Sequence, residues 1–176
     1  MKSVTSRPSP QGFTLIELTL VLVLLAVMAA AAVPRFINLS SDAKGAVLTQ
    51  FQAAVRGANT QLYLFSKLPS YRVRAVSGRG DLTDVDVDGD GTYETRLKCG
   101  YLDNTDVAKR LDYSDEALGF EYEGVDKVYF GFGTGNIKAS QCYFMYRQAY
   151  GTTNPGSCSQ DDPKAAPTYE LQLSGC

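Results

Sequence analysis

The sequence predicts an α+β protein: a long, bent N-terminal helix packed on an antiparallel sheet of about four or five strands. Three observations predict it. A 21-residue apolar run lies near the start, an amphipathic helical pattern follows it without a turn, and beyond Pro69 the texture changes to short β-like runs. Hydrophobic residues make up 44% and charged residues 20% of 176, the composition of a folded domain with a real core.

Residues 1–12 form a polar leader with Lys2 and Arg7 and no acid. The run Phe13 to Val33 then carries a single charge, Glu17. As a helix it spans about 31 Å at ~1.5 Å per residue, the thickness of a bilayer's hydrocarbon core. An ordinary secretory signal loses its apolar run at a small-residue site. Ala29 to Ala32 match such a site in part, but here the run continues into a helical pattern. A carboxylate within such a helix costs roughly 2.5–3.5 kcal/mol on insertion, which marks Glu17 as a functional candidate. It stands one turn after Phe13. An amine freed by cleavage at Phe13 would pair with it, and pairing between neighbouring subunits would fix their axial register. The plainer alternative is a glutamate snorkelling at the membrane edge.

Gly12-Phe13-Thr14-Leu15-Ile16-Glu17, the apolar run and Pro34 together resemble the signature of type IV pilins and type II secretion pseudopilins. The resemblance implies that a prepilin peptidase cuts after Gly12 and methylates Phe13, that Glu17 is the assembly glutamate, and that Pro34 is where the helix kinks or melts in the filament. A proline at that place removes a backbone N–H and clashes with the preceding turn in any case. The implied organisation is a leader over 1–12, a helix over 13–68 whose first part, 13–33, is membrane anchor and then filament core, and a globular β domain over 69–176. The implied partners are further copies in a helical filament, the peptidase, the inner-membrane pilus assembly machinery, and the membrane before assembly. The implied location is the inner membrane for the precursor and an extracellular pilus for the product.

Beyond Arg35, apolar residues recur at Val47, Phe51, Ala54, Ala58, Leu62 and Phe65 in steps of three or four, so one helix is expected from about Phe13 to Lys67, ending before Pro69. Its stripe reads as core packing. Gly45 and Gly57 each weaken the helix by ~1 kcal/mol relative to Ala.

In the second half, Tyr71 to Val76, Phe120 to Glu123, Val128 to Phe132, Cys142 to Tyr146 and Tyr169 to Leu173 read as strands, with Gly124 as a hairpin signal. A short helix between Asp103 and Leu111 is capped by Asn104 or Thr105. The four cysteines, Cys99, Cys142, Cys158 and Cys176, in a chain that looks exported read as two disulfides, for which the sequence alone allows three pairings. The C-terminal part, with Cys142-Tyr143-Phe144-Met145-Tyr146, Pro167 to Leu171 and a terminal Gly175-Cys176, resembles mannose-sensitive haemagglutinin (MSHA) pilins, as does Pro34 to Leu39. That resemblance implies Cys142 with Cys176 and leaves Cys99 with Cys158. In the chain-entropy account, closing loops of this size stabilises by roughly 3–4 kcal/mol.

The second chemical feature is Asp84-Val85-Asp86-Val87-Asp88-Gly89-Asp90-Gly91-Thr92-Tyr93-Glu94. Hard cations take several oxygens, and alternating aspartates in a tight loop supply them. EF-hand spacing fails, because the twelfth position falls on Thr95 or Leu97. A shorter pattern fits: Asp86, Asp88, Asp90, the Thr92 carbonyl and Glu94 as calcium ligands, with Gly91 permitting the turn. It resembles the Asp-x-Asp-Gly-Asp-Gly loops of extracellular calcium modules. The plain alternative is a solvated acidic loop, whose clustered carboxylates would repel one another.

Net charge of −2 offers no basis for a nucleic-acid partner. The chain has no His, which excludes a His-based metal site or a Ser–His triad within it, and the glycine-rich Gly131 to Gly135 lacks the following helix of a phosphate loop. The expectation is a structural subunit and not an enzyme: an MSHA-like major pilin for attachment or motility. A type II secretion pseudopilin and a minor pilin or tip adhesin are the alternatives.

Overall fold

The computed structural model describes residues 12–68, 72–111, 118–133, 135–150, 158 and 165–176, without the side chains of 33–38. The leader residues 1–11, Pro69 and Tyr71 lie outside this set, and so does the side chain of Pro34. The arrangement is α+β. Helix α1 covers Leu15–Phe65 and is helical through Pro34. The chain divides into two compact units, 1–41 and 42–176.

In the first unit, the part of α1 over Leu15–Ala32 is long and apolar enough to cross a membrane, and none of it is buried. Its side chains from Leu15 to Met28 are broadly exposed, and Phe13 just before it is 91% exposed.

Among the described residues the second unit carries eight strands in two antiparallel sheets, where the sequence suggested about four or five in one. The first sheet holds β1 (Val73–Val76), β2 (Arg79–Val85), β3 (Thr95–Lys98) and β4 (Tyr101–Leu102), in that order. The second holds β5 (Leu118–Glu123), β6 (Lys127–Phe132), β7 (Tyr143–Arg147) and β8 (Thr168–Gln172), also in order. Strands β2 and β3 escape sequence reading because charge is spread through both. Asp84 is held by arginines on both neighbouring strands and Asp81 by Arg79 of its own strand, so these strands show little apolar alternation. The second sheet is where aromatic and β-branched alternation is plain, and there the expected strands lie within a residue or two of the observed ones. Gly124, at φ 66°, opens the β5–β6 turn in the left-handed region that glycine adopts freely.

One core joins α1 to both sheets. Leu48, Phe51, Val55 and Leu62 of α1 pack with Val85, Leu97 and Leu102 of the first sheet and with Leu118, Val128, Phe130, Phe144 and Tyr146 of the second. The buried stripe of α1 is turned by about one residue from the expected one. Val47 and Ala54 are exposed, whereas Leu48, Val55 and Asn59 are buried. A hydrophobicity pattern skips Asn59, yet that residue marks the centre of the buried face. Its Oδ1 accepts the Leu102 N–H at 2.7 Å, and its Nδ2 donates to the Tyr169 hydroxyl at 3.0 Å and the Tyr146 hydroxyl at 3.4 Å. The Tyr146 hydroxyl donates to the Leu102 carbonyl at 2.6 Å. A smaller cluster of Tyr129, Ile137, Tyr143 and Met145 lies on the other face of the second sheet, beside a 3-10 turn over Lys138–Ser140.

The short helix α2 covers Val107–Arg110, and its N-cap is Asp106, not Asn104 or Thr105. Both expected caps are engaged elsewhere: the Asn104 N–H donates to Gln148, and the Thr105 N–H and hydroxyl donate to Asp103. Disulfides join Cys99 to Cys158 and Cys142 to Cys176. The second ties the start of β7 to the last residue. The adjacent Gly175 N–H donates to the Gln141 carbonyl at 3.0 Å, and its Cα lies too close to the Ser140 carbonyl for any Cβ to fit.

Replacing Asn59 by Leu leaves the Leu102 N–H and two tyrosine hydroxyls without the amide. At roughly 1–3 kcal/mol for a buried unsatisfied group, Asn59→Leu is expected to lower unfolding free energy by about 3 kcal/mol or more. Urea unfolding measures this, and an unchanged midpoint would remove the Asn59 hub as a stabilising element.

Candidate functional site

Two features survive from sequence to structure as chemistry-bearing: the start of α1 and the loop after β2. At the first, Gly12, Phe13 and Thr14 precede the helix and Glu17 sits in its first turn. The Thr14 N–H and hydroxyl both donate to Glu17 Oε2, each at 2.9 Å, and the Glu17 N–H reaches the Thr14 hydroxyl at 3.4 Å. This is a capping box, in which N-cap and third helical residue satisfy each other's donors. Thr14 was not singled out in the sequence, although the Thr-x-x-Glu spacing before an apolar run is its signal. Glu17 is exposed, and so are Gly12 and Phe13. The residue singled out as the odd charge in an apolar helix thus has an in-chain partner already, though an exposed one.

At the second feature, the loop leaves β2 at Val85 and returns to β3 at Thr95. Asp84 belongs to the strand. It lies opposite Arg74 on β1 and Arg96 on β3 and is ion-paired to both. The Arg96 guanidinium, followed by Arg74, holds its carboxyl below the usual range. Asp86 is buried: its oxygens accept the Gly89 N–H at 2.7 Å and the Gly91 N–H at 3.0 Å, and Arg72 lies 3.6 Å away. These bonds fold the loop back over Asp86, with Gly89 at φ 83° and Gly91 at φ 95° supplying the left-handed backbone.

Carboxylate oxygens of Asp86, Asp88 and Glu94 all lie within 4.8 Å of one another, close enough to share one cation. Asp88 and Glu94 are exposed, and Glu94 also accepts the Val87 N–H at 3.0 Å, with Arg110 at 3.8 Å. Asp90 is not among the three. Its carboxylate accepts the Thr92 N–H at 2.7 Å, and that bond keeps its carboxyl below the usual range. Thr92 is exposed, with its N–H so engaged. Of the five residues named from spacing, the structure therefore gathers three, and turns the other two toward each other.

Comparison with known proteins bears on the first feature. Residues 7–33 match the family described as the prokaryotic N-terminal methylation motif. The chain is also similar to the type IV narrow pilus major component PilA5 of Thermus thermophilus, 48% identical over 48 residues. That stretch is 27% of this chain and 41% of PilA5, so the chain matches less than half of the relative's length. No solved structure matches. The chain thus carries a pilin-type N-terminal segment, and the α+β arrangement behind it is consistent with a type IV pilin fold.

The bonds around Asp86 hold the loop in place. Asp86→Ala is expected to cost about 3–6 kcal/mol in metal-free buffer, since it removes two hydrogen bonds to a charged group, each contributing roughly 1.5–3 kcal/mol. Exposed Asp88→Ala is expected to cost under about 1 kcal/mol. Chemical denaturation in chelator compares them; equal losses would refute this division of labour.

Proposed function

We propose that this chain is the structural subunit of a type IV pilus, cleaved after Gly12, methylated on Phe13, and polymerised through its N-terminal helix. The observation that carries the reading is the pairing of a matched methylation motif with a helical segment, Leu15 to Met28, whose large apolar side chains are exposed. Monomeric soluble proteins do not leave so much apolar surface uncovered. A membrane covers it before assembly, and neighbouring helices cover it afterwards. Glu17 then meets the Phe13 amine of an adjacent subunit, which removes two lone charges from the apolar filament core and sets the register. Pro34 is the place where the helix yields as it passes from membrane to filament. The globular domain faces outward, closed by its two disulfides as an oxidising exterior allows.

Within this reading, the MSHA-like major pilin of a surface fibre for attachment or motility is favoured over a type II secretion pseudopilin or a tip adhesin. The support is the C-terminal closure through Cys142 and Cys176. We also propose calcium in the loop, held by Asp86, Asp88 and Glu94, with Asp90 and the Thr92 carbonyl completing the shell after local rearrangement. The support is the convergence of three carboxylates, one of them buried.

Mass spectrometry of the mature protein is expected to find N-methylated Phe13 as the first residue. A mature start near Ala32 would overturn the proposal. Immunogold labelling along the length of surface filaments is expected for a major subunit; label confined to tips, or to the periplasm, would favour an alternative. For the loop, 10 mM calcium is expected to raise the melting temperature of the full chain in detergent. The expected rise is roughly 3–8 °C at a dissociation constant of ~0.1–1 mM. Asp88→Ala is expected to abolish it. An unmoved melting temperature in the unaltered chain would end the calcium reading.

A further inference from the structure

Within the second unit, the end of α1 and the first sheet leave a cleft of about 540 Å³. That volume lies in the range of small-molecule sites, roughly 300–1,000 Å³. Two tyrosines line it as a stacked pair: Tyr63 of α1 and Tyr101 of β4, with ring centres 4.7 Å apart and planes at 15°. Gly100 brings the β3–β4 turn hard against the helix end, where a Cβ would lie 3.1 Å from the Tyr63 ring and from the Ser66 hydroxyl. The Cys99–Cys158 disulfide adds an apolar stretch of wall and ties that turn down.

The charges of the cleft favour an anion. Asp81 is the one carboxylate in its lining among the described residues, and cations already hold it. Arg79 donates to both of its oxygens, at 2.9 and 2.8 Å, and the Lys98 ammonium stands 3.8 Å away. Two cations on one carboxylate leave a positive surplus, and Lys67 adds to it. The Lys67 ammonium lies 5.1 Å from the centre of the Tyr63 ring and, among the described residues, pairs with no carboxylate. Thr83 and Tyr101 are half-buried in the lining, and their hydroxyls make no hydrogen bond among the described residues. Such hydroxyls can both donate to a ligand and accept from it.

We propose that this cleft binds an acidic sugar, a hexuronate unit of an extracellular polysaccharide. Each part of that ligand has a counterpart in the lining. The carboxylate meets the Lys67 ammonium. The sugar hydroxyls meet those of Thr83 and Tyr101, and Ser66, which donates to the Tyr63 carbonyl at 2.8 Å, still has lone pairs to accept with. The C–H face of the ring meets the phenol rings and the disulfide by dispersion and apolar burial. A neutral sugar forgoes the ion pair, and a small inorganic anion forgoes the apolar wall. The site belongs to the globular unit, so it stands whether or not the chain polymerises. In a filament every subunit would repeat it, and weak sites would add up as avidity.

Isothermal titration calorimetry of the full chain in detergent tests this with galacturonate trisaccharide, with maltotriose and inorganic phosphate for comparison. The expected dissociation constant for the galacturonate is on the order of 1 mM, with both comparison ligands about fivefold weaker or more. Lys67→Gln alters an exposed side chain and is expected to leave the melting temperature unchanged. It is expected to weaken galacturonate binding about three- to tenfold and to remove most of the preference over maltotriose. Thr83→Val is expected to weaken both sugars about fivefold. Lys109→Gln, at an exposed lysine outside the cleft, is expected to change neither. No binding of galacturonate up to about 10 mM would overturn the proposal. So would maltotriose binding as tightly, phosphate binding as tightly, or an equal loss in Lys109→Gln and Lys67→Gln, which would reduce the effect to overall charge.

Discussion

The amide of Asn59 joins three layers at one point. Through it helix α1 accepts a backbone N–H from the first sheet and donates to two tyrosines of the second. Apolar contact around it is extensive but not directional. Leu48, Phe51, Val55 and Leu62 would pack nearly as well with the helix slid or turned by a residue. The Asn59 bonds would not, because burial turns each unmet polar group into a penalty of its own. The hub therefore selects one register of helix against sheets. Tyr146 shows the same pressure: deep burial raises its hydroxyl pKa well above the ordinary value, and the neutral hydroxyl donates to Leu102. Arg56 lies over the Tyr169 ring at 4.6 Å, a cation–π contact on the exposed side of the same hub.

From that fixed core the peripheral features follow. The first sheet is held largely by charge. Asp84 is set between Arg74 and Arg96, and Asp81 takes a two-pronged contact from Arg79, with bonds of 2.9 and 2.8 Å. Such a sheet can carry an acidic loop at one end, since buried Asp86 continues the same strand and meets Arg72. The second sheet is aromatic and bonded by shape, with Phe51 against Phe130 at 4.8 Å and against Phe144 at 5.9 Å. The Cys142–Cys176 link then holds the segment after β8 beside the start of β7.

The first turn of α1 works by different physics. Among the described residues no core covers it, and local hydrogen bonds between Thr14 and Glu17 order it. The capping box is the kind of local structure that survives without tertiary support, since both partners lie three residues apart on one strand of sequence. It remains exposed and yet keeps one geometry.

What the sequence determined by itself was whatever depends on near neighbours. The apolar run with its single Glu17, the helical period beyond it, the hairpin at Gly124 and the alternating strands β6 to β8 are each written within a few residues. The Thr14–Glu17 box is equally local, but its Thr-x-x-Glu signal is missed when Glu17 is read only as a lone charge. Tertiary structure decided what depends on distant partners. It turned the buried stripe of α1 by a residue, because Asn59 finds hydrogen-bonding partners 43 to 110 positions away. It made strands of the charged segments over Arg79–Val85 and Thr95–Lys98, because Arg74 and Arg96 on the adjacent strands flank Asp84, while Arg79 and Lys98 hold Asp81. It also chose three of the five acidic-loop residues to converge, because backbone N–H groups had already claimed Asp90. Periodicity records which residues dislike water, whereas a buried polar or charged residue is settled only by the partner that the whole fold brings to it.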